Sequence, residues 1–425
     1  MKTLLKNLTI LTMLNDSFFL GDIGIEDKKI AFVGSNPSFK ADITYDMSGK
    51  VALPGLVNGH THLAMTLLRN YKDTQPTLQA WLNEIFPIEN KLTDKEIYIG
   101  SLAGLAELIK SGCTTYTDMY FNADQTIKAS LEAGVRSVQG LTFFGDGTEA
   151  RRRIRENYPK MQKAMGSSDL VRTDAAVHSI YTCTKECYQI AQQWAKDNNT
   201  MVNTHLSETF KEVEDSIKDF SLTPVKYLES LHFFDAPSYL AHGVFIQDEE
   251  IAILKEHNVS IIHNPSSNCK LASGIAPIAK YKLNGLNIAL GTHGASSNNN
   301  LSLLKEMNLA NLISTVTTKN PMALTPYEIL KMATINGAKA LGLEDRIGSL
   351  EEGKEADITI LDLDRVNTTP VNNPFSAIVF SADTSNVDTV FCQGRCLLKN
   401  GKLQTLDEKV IVKNLKTAVD KVINL

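Results

Sequence analysis

The chain has 425 residues, 43% of them hydrophobic and 21% charged, with 43 Lys and Arg against 48 Asp and Glu. That length exceeds one small domain and suffices for a large α/β core plus an accessory unit. The net charge of −5 leaves no basic footprint for nucleic acid, and no run of eighteen apolar residues argues for a membrane span.

Residues 1 to about 53 carry short β-like runs, KNLTILT, GDIGIEDKKIAFVG and ITYDMSG. In the opening MKTLLKNLTILTMLNDSF, Asn and Thr interrupt the apolar residues and no small-residue cleavage site follows, so it reads as a strand hairpin rather than a leader. From about 54 to 345 strands and helices alternate. TDKEIYIGSLAGLAELIKSG is a helix with Thr93 as N-cap, Glu96 completing a capping box and Gly112 marking the end. Apolar runs ending in VNGHTH, TTYTDMY, VQGL, AAVHS, VNTHLSE, YLAHGV, SIIHNP and IALGTHG read as roughly eight strands, which with intervening helices imply parallel pairing and right-handed crossovers. From about 346 to 406 the pattern returns to β character in ADITILDLD, SAIVFSAD and NVDTVFCQGRCLLKNGK, and the tail DEKVIVKNLKTAVDKVINL is an amphipathic helix. Two architectures fit: a β unit split between both ends around a β/α region, or a doubly wound sheet. Neither GxGxxG nor GxxxxGK[ST] occurs, so no phosphate loop is supported. The six cysteines form no CxxC pair, which fits reduced thiols in a cytoplasmic protein.

The histidines are the informative residues. Of nine, His60, His62, His178, His205, His242, His263 and His293 sit at or just after the end of an apolar run, while His232 and His257 lie in helix-like contexts and read as surface or capping residues. In a β/α barrel the strand C-terminal ends share one face, where catalytic groups gather. His60 and His62 flank Thr61 in NGHTHL, and residues i and i+2 of a strand point the same way, so both imidazoles can ligate one metal ion. His205 is followed three residues later by Glu208, a carboxylate placed for acid/base work beside a metal ligand or, on its own, a helix-start acid. His242 reads as base or ligand, and His263 as a supporting or packed histidine.

PGLVNGHTH, HLSET, LAHGV, HNPSSN and the GTHGASSNN loop, in that order, resemble the amidohydrolase superfamily, and more narrowly the methylthioadenosine/S-adenosylhomocysteine deaminase group with its related triazine hydrolases. FPIENKLT, HSIYTCT and NGAKALGLEDRIGSLEEGKEADITILD extend the likeness over nearly the whole chain. The resemblance implies an α/β fold: a distorted (β/α)8 TIM barrel over 54–345, a composite β-sandwich from 1–53 and 346–406, and a C-terminal helix over 407–425. It implies one Zn2+ or Fe2+ per subunit on His60, His62 and His205, with Glu208 and His242 as the proton-transfer pair. The group's remaining ligand and base is an aspartate, and its position is His293 here. Three readings of His293 stay open: a substitute ligand or base, the mark of a weakened or silent member, or a loop residue without metal contact.

For substrate, the resemblance places Glu89 on ribose hydroxyls, His178 and Glu208 beside the ligand, and Arg153 on a substrate tail, with Trp81 and Phe86 as candidate walls. A second arginine of the group is replaced by Leu141, which weakens the case for a homocysteine carboxylate. The implied activity is hydrolytic deamination of an adenosine-type nucleoside, with no nucleic-acid or membrane partner and with homo-oligomers as the group often forms. The alternatives are a guanine-, triazine- or pyrimidine-type hydrolase, or a silent metal- or nucleoside-binding protein.

Overall fold

The computed structural model describes residues 1–423. The chain opens with five strands, β1 (Lys2–Ile10), β2 (Phe19–Glu26), β3 (Lys29–Gly34), β4 (Ile43–Asp46) and β5 (Lys50–Pro54). Eight more follow between helices: β6 (Leu56–Thr61), β7 (Cys113–Asp118), β8 (Arg136–Phe143), β9 (Val171–Val177), β10 (Val202–Leu206), β11 (Ser238–His242), β12 (Ser260–His263) and β13 (Asn287–Leu290). Four close the series: β14 (Ile358–Asp362), β15 (Val387–Cys392), β16 (Arg395–Lys399) and β17 (Lys402–Leu403).

Strands β6 to β13 pair in parallel in strict chain order. The two ends meet where His293 N donates to His60 O at 2.9 Å, so the sheet curls into a ring and the doubly wound alternative is excluded. Strands β6, β7 and β8 are buried along their whole length, as expected of a parallel sheet covered on both faces. Gly291, just past β13, has no room for a side chain: a Cβ there would lie 2.5 Å from Asn264 Oδ1 and 3.0 Å from His60 Cβ. The small residue lets the tips of β6, β12 and β13 close on one another.

The terminal strands form one nine-stranded mixed sheet, in the order β17-β16-β15-β14-β5-β1-β2-β3, with β4 beside β1. It has its own core, in which Leu5, Leu8, Ile23 and Ile25 meet Ile358, Ile360 and Phe391. Arg136, at the start of β8, is buried and reaches Asp357 at 3.0 Å and Glu355 at 2.5 Å, tying the barrel to this sheet. A buried pair of this kind holds only while both partners are present.

Helices α1 (Leu78–Glu89), α2 (Asp94–Lys110) and α3 (Phe210–Phe220) carry residues used below, and the tail forms the expected helix over Glu408–Ile423, residues 424 and 425 lying outside the described ones. Thr93 and Glu96 form the expected capping box on α2, and Gly112 takes φ +86° just beyond its end. His232 is exposed and His257 is the C-cap of a helix, as expected. One expectation fails: SAIVFSAD is not a strand. Residues 374–381 wind into helical turns, because Asn373 caps Ser376 N, Pro374 occupies the first turn, and Ala377, Ile378 and Val379 bury themselves together. Three adjacent apolar residues suit a buried strand and a buried helical turn equally, so periodicity could not separate them. No described helix is long and apolar enough to cross a membrane.

Candidate metal centre and active-site pocket

The tips of β6, β10 and β13 bring four imidazoles together. His60 and His62 project to the same side of the β6 end, their ring centroids 4.9 Å apart. His205 Nε2 lies 3.1 Å from His60 Nε2 and 3.2 Å from His62 Nε2, and His293 Nε2 lies 3.0 Å from His62 Nε2. All four side chains are buried, and their ligand atoms lie within 4.8 Å of one another.

The outer hydrogen bonds decide what these nitrogens are. His62 Nδ1 meets Met119 O at 2.7 Å and His205 Nδ1 meets His178 O at 2.7 Å. A carbonyl only accepts, so each Nδ1 carries the proton and each Nε2 presents a lone pair. Ser297 Oγ donates to Gly294 O and therefore accepts from His293 Nδ1, which leaves the His293 Nε2 lone pair inward as well. Lone pairs facing one another at 3.0–3.2 Å repel unless a cation lies between them. The spacing approaches the roughly 3.3–3.4 Å edge of a tetrahedron with metal–nitrogen bonds of about 2.0–2.1 Å. The donor set therefore fits a divalent ion that accepts imidazole.

Two further groups border the cluster. His242 ends β11 with φ 78°, and its Nδ1 donates to Asn268 Oδ1 at 2.7 Å. Its buried Nε2 has no hydrogen-bond partner among the described residues, while its ring lies 5.0 Å from that of His293 and 5.5 Å from that of His205. Glu208 follows β10 and accepts one bond from Ser273 Oγ at 3.2 Å. Burial pushes its carboxyl up to about 7, against that hydroxyl, and burial brings His242 down to about 4. The 3.8 Å approach of Glu208 Oε1 to His242 Nδ1 is thus a contact between two groups that favour neutrality, not an ion pair.

Above the cluster opens a cavity of about 530 Å³, lined at its floor by His62, His205, His293 and Glu208. Helix α1 contributes Leu78, Trp81, Leu82, Phe86 and Glu89, a spacing that puts them on one helical face. Met65, Met119, Phe121 and Phe144 continue the apolar wall. Glu89 accepts from Tyr120 OH at 2.6 Å, and burial pushes its carboxyl up to about 7. His178 lines the same cavity, stacked on Phe144 at 4.2 Å.

Arg153 does not line this cavity. Its Nε pairs with Glu149 at 2.8 Å, its Nη1 donates to Thr142 O at 2.9 Å, and its guanidinium lies 5.7 and 5.8 Å from the Phe121 and Phe144 rings. It lines a smaller neighbouring cavity together with Leu141. No lysine or arginine belongs to the main lining among the described residues.

Sequence reasoning passed over the supporting residues Asn268, Ser273, Ser297 and Tyr120. Asn268 and Ser297 stand within the HNPSSN and GASSNN loops, so those motifs held the signal. Nothing local marks Tyr120 or Ser273, whose partners Glu89 and Glu208 are distant in the chain.

Packing many titratable groups in one dry region has a measurable consequence. Burial lowers all seven strand-end imidazoles: His62 and His242 to about 4, His178 and His263 to about 3, and His60, His205 and His293 well below the usual 6.5. In the metal-free protein these seven stay neutral below pH 6.5 while the unfolded chain takes up protons, so stability falls as pH drops from 6.5 towards 4. Burial raises Glu89, Asp118 and Glu208 to about 7. These three keep protons that the unfolded chain loses above about pH 4, so their contribution falls as pH rises from about 4 to 7, outweighed by the seven imidazoles until near the top of that range. The melting temperature of the chelator-treated protein is expected to peak between about pH 6.5 and 7. A monotonic rise from pH 5 to 8.5 in calorimetry would refute this balance.

Comparison with known proteins agrees with this geometry. The chain is 43% identical to the 5'-deoxyadenosine deaminase of Methanobrevibacter smithii, over 98% of this chain and 97% of that one. It is 40% identical to the 5-methylthioadenosine/S-adenosylhomocysteine deaminase of Thermoanaerobacter pseudethanolicus, over 98% of each. Its fold is similar to a crystal structure of an adenosine deaminase from Xanthomonas campestris with bound zinc, with a TM-score of 0.95 and 27% identity over 100% of this chain and 99% of that one. Residues 51–397 match the Amidohydrolase family along the barrel and most of the β14–β16 region, and the chain belongs to that family of hydrolytic enzymes.

Proposed function

We propose that the protein is a Zn2+-dependent deaminase of adenosine-type nucleosides whose 5′ substituent is short and apolar, 5′-deoxyadenosine and 5′-methylthioadenosine before S-adenosylhomocysteine. The carrying observation is the floor of the cavity, where a buried carboxyl poised near neutrality and an unpartnered imidazole nitrogen flank a metal-type histidine cluster. The names of the similar deaminases support the same chemistry.

His60, His62, His205 and His293 would hold the ion, which would supply the Lewis acidity that makes water a nucleophile near neutral pH. Glu208, which keeps its proton up to about pH 7, protonates purine N1 as charge builds there during attack at C6. His242 orients the attacking water through Nε2, its ring fixed by the Asn268 bond. The purine slides between the apolar walls, and Glu89 at the side of the cavity accepts from the ribose hydroxyls. With no free carboxylate at position 293, the water's proton reaches the C6 amino group by way of His242, or of Glu208 once it has given its own to N1; ammonia then leaves, and the C6 hydroxyl loses its proton to restore the acid and give the inosine analogue.

The tail preference follows from charge. A homocysteine tail brings an ammonium and a carboxylate to a wall of Phe121, Phe144 and Trp81, while Arg153 is already bonded to Glu149 and Thr142. Burying those charges without partners is unfavourable. A tenfold or greater preference in kcat/KM, about 1.4 kcal/mol, is expected for 5′-deoxyadenosine and 5′-methylthioadenosine. Ammonia release across these three nucleosides, adenosine and guanine tests it. Equal turnover of S-adenosylhomocysteine removes the tail preference, and turnover of guanine alone removes the nucleoside reading.

A further inference from the structure

Glu212, on the first turn of α3, is buried and does not line the cavity. It reaches back past the helix N-cap Thr209, accepting Ser207 N on Oε1 at 2.8 Å and Glu208 N on Oε2 at 2.8 Å. An ordinary capping box would take only the N-cap N–H. Here the carboxylate bridges the two residues before the cap, one of them Glu208 itself. The turn needs that hold, because Ser207 sits at φ 52°, a left-handed conformation that a serine seldom adopts. From the other side Ser207 O accepts Val244 N at 2.9 Å and Phe245 N at 3.0 Å, both just beyond His242. The turn carrying Glu208 is thus clamped between α3 and the loop that follows His242.

We propose that Glu212 is a positioning residue, whose two-oxygen clamp on the Ser207 and Glu208 backbone sets the Glu208 carboxyl against the substrate. The inference rests on the reading of Glu208 given above. Both oxygens of Glu212 are used as acceptors, so the isosteric Glu212→Gln keeps the volume but turns an amide N–H2 towards one of the two backbone N–H groups. One clamp bond becomes a donor facing a donor, and the turn is free to relax.

The test compares the metal-loaded native protein, Glu212→Gln and Glu208→Gln in ammonia release from 5′-deoxyadenosine, well below each melting temperature, with rates per bound metal. If the native rate lies below detection, the comparison is made in the His293→Asp background. Glu212→Gln is expected to lower kcat at least tenfold with KM within twofold and metal content unchanged. A residue that only stabilised the fold would lower the melting temperature and leave kcat per metal site intact. Native kcat in Glu212→Gln, beside a hundredfold or greater loss in Glu208→Gln, overturns the clamp. Native kcat in Glu208→Gln instead overturns the reading of Glu208. If Glu212→Gln does not fold, Glu212→Asp, too short by one methylene to bridge both N–H groups, carries the same comparison.

Discussion

Replacing His293 by aspartate is expected to raise kcat for 5′-methylthioadenosine by about 10²–10⁴, the usual worth of one acid/base group, with metal content unchanged. Both nitrogens of His293 are engaged in the native chain: Nε2 faces His62 Nε2 at 3.0 Å and Nδ1 is bonded to Ser297. Once metallated, the ring has no free lone pair with which to take a proton from water. A carboxylate ligates through one oxygen and keeps the second free for that purpose. The backbone accepts the exchange, since His293 sits at φ 59°, a region that aspartate tolerates as readily as histidine. Metal analysis and ammonia release, measured together on both proteins, decide the matter. Equal rates would make His293 a competent member of the site and move proton transfer to His242 or Glu208. A lower rate in the variant would show that the four-imidazole cluster is itself the working form.

The second large effect is on the metal itself. His205 makes two of the three short Nε2 approaches in the cluster, at 3.1 and 3.2 Å. His205→Ala is expected to leave the protein without stoichiometric metal and without detectable deamination. Chelation of the native protein should act alike and also lower its melting temperature, because an ion that binds only the folded chain stabilises it by about 4 kcal/mol at a thousandfold excess over Kd. Elemental analysis and calorimetry before and after chelation measure both effects. A His205→Ala protein that keeps its metal and its melting temperature would remove His205 from the ligand set.

The sequence by itself determined a good deal. The alternation of about eight apolar runs with helices implied a parallel sheet, and a strand's two-residue repeat placed His60 and His62 on one side. The capping box on α2 was equally legible, being a local hydrogen-bond pattern spelled by residues three apart. Tertiary structure decided the rest, because the deciding contacts span long stretches of chain. Closure of the barrel depends on His293 N reaching His60 O and on the paired bonds between Asn58 and Thr292, contacts that separate a ring from an open sheet. The tautomers of His62 and His205 depend on the carbonyls of Met119 and His178, which no side-chain pattern encodes. Arg153, placed by motif beside a substrate tail, is drawn off by Glu149 and Thr142, and the winding of SAIVF follows from the cap at Asn373 rather than from its apolar run. His293 shows the division most plainly. The sequence marked it as unusual, and the fold, by bringing its Nε2 within 3.0 Å of His62 while Ser297 holds its other nitrogen, made it part of the cluster. Periodicity reports which way a side chain points along its own element. What it meets there is set by residues hundreds of positions away.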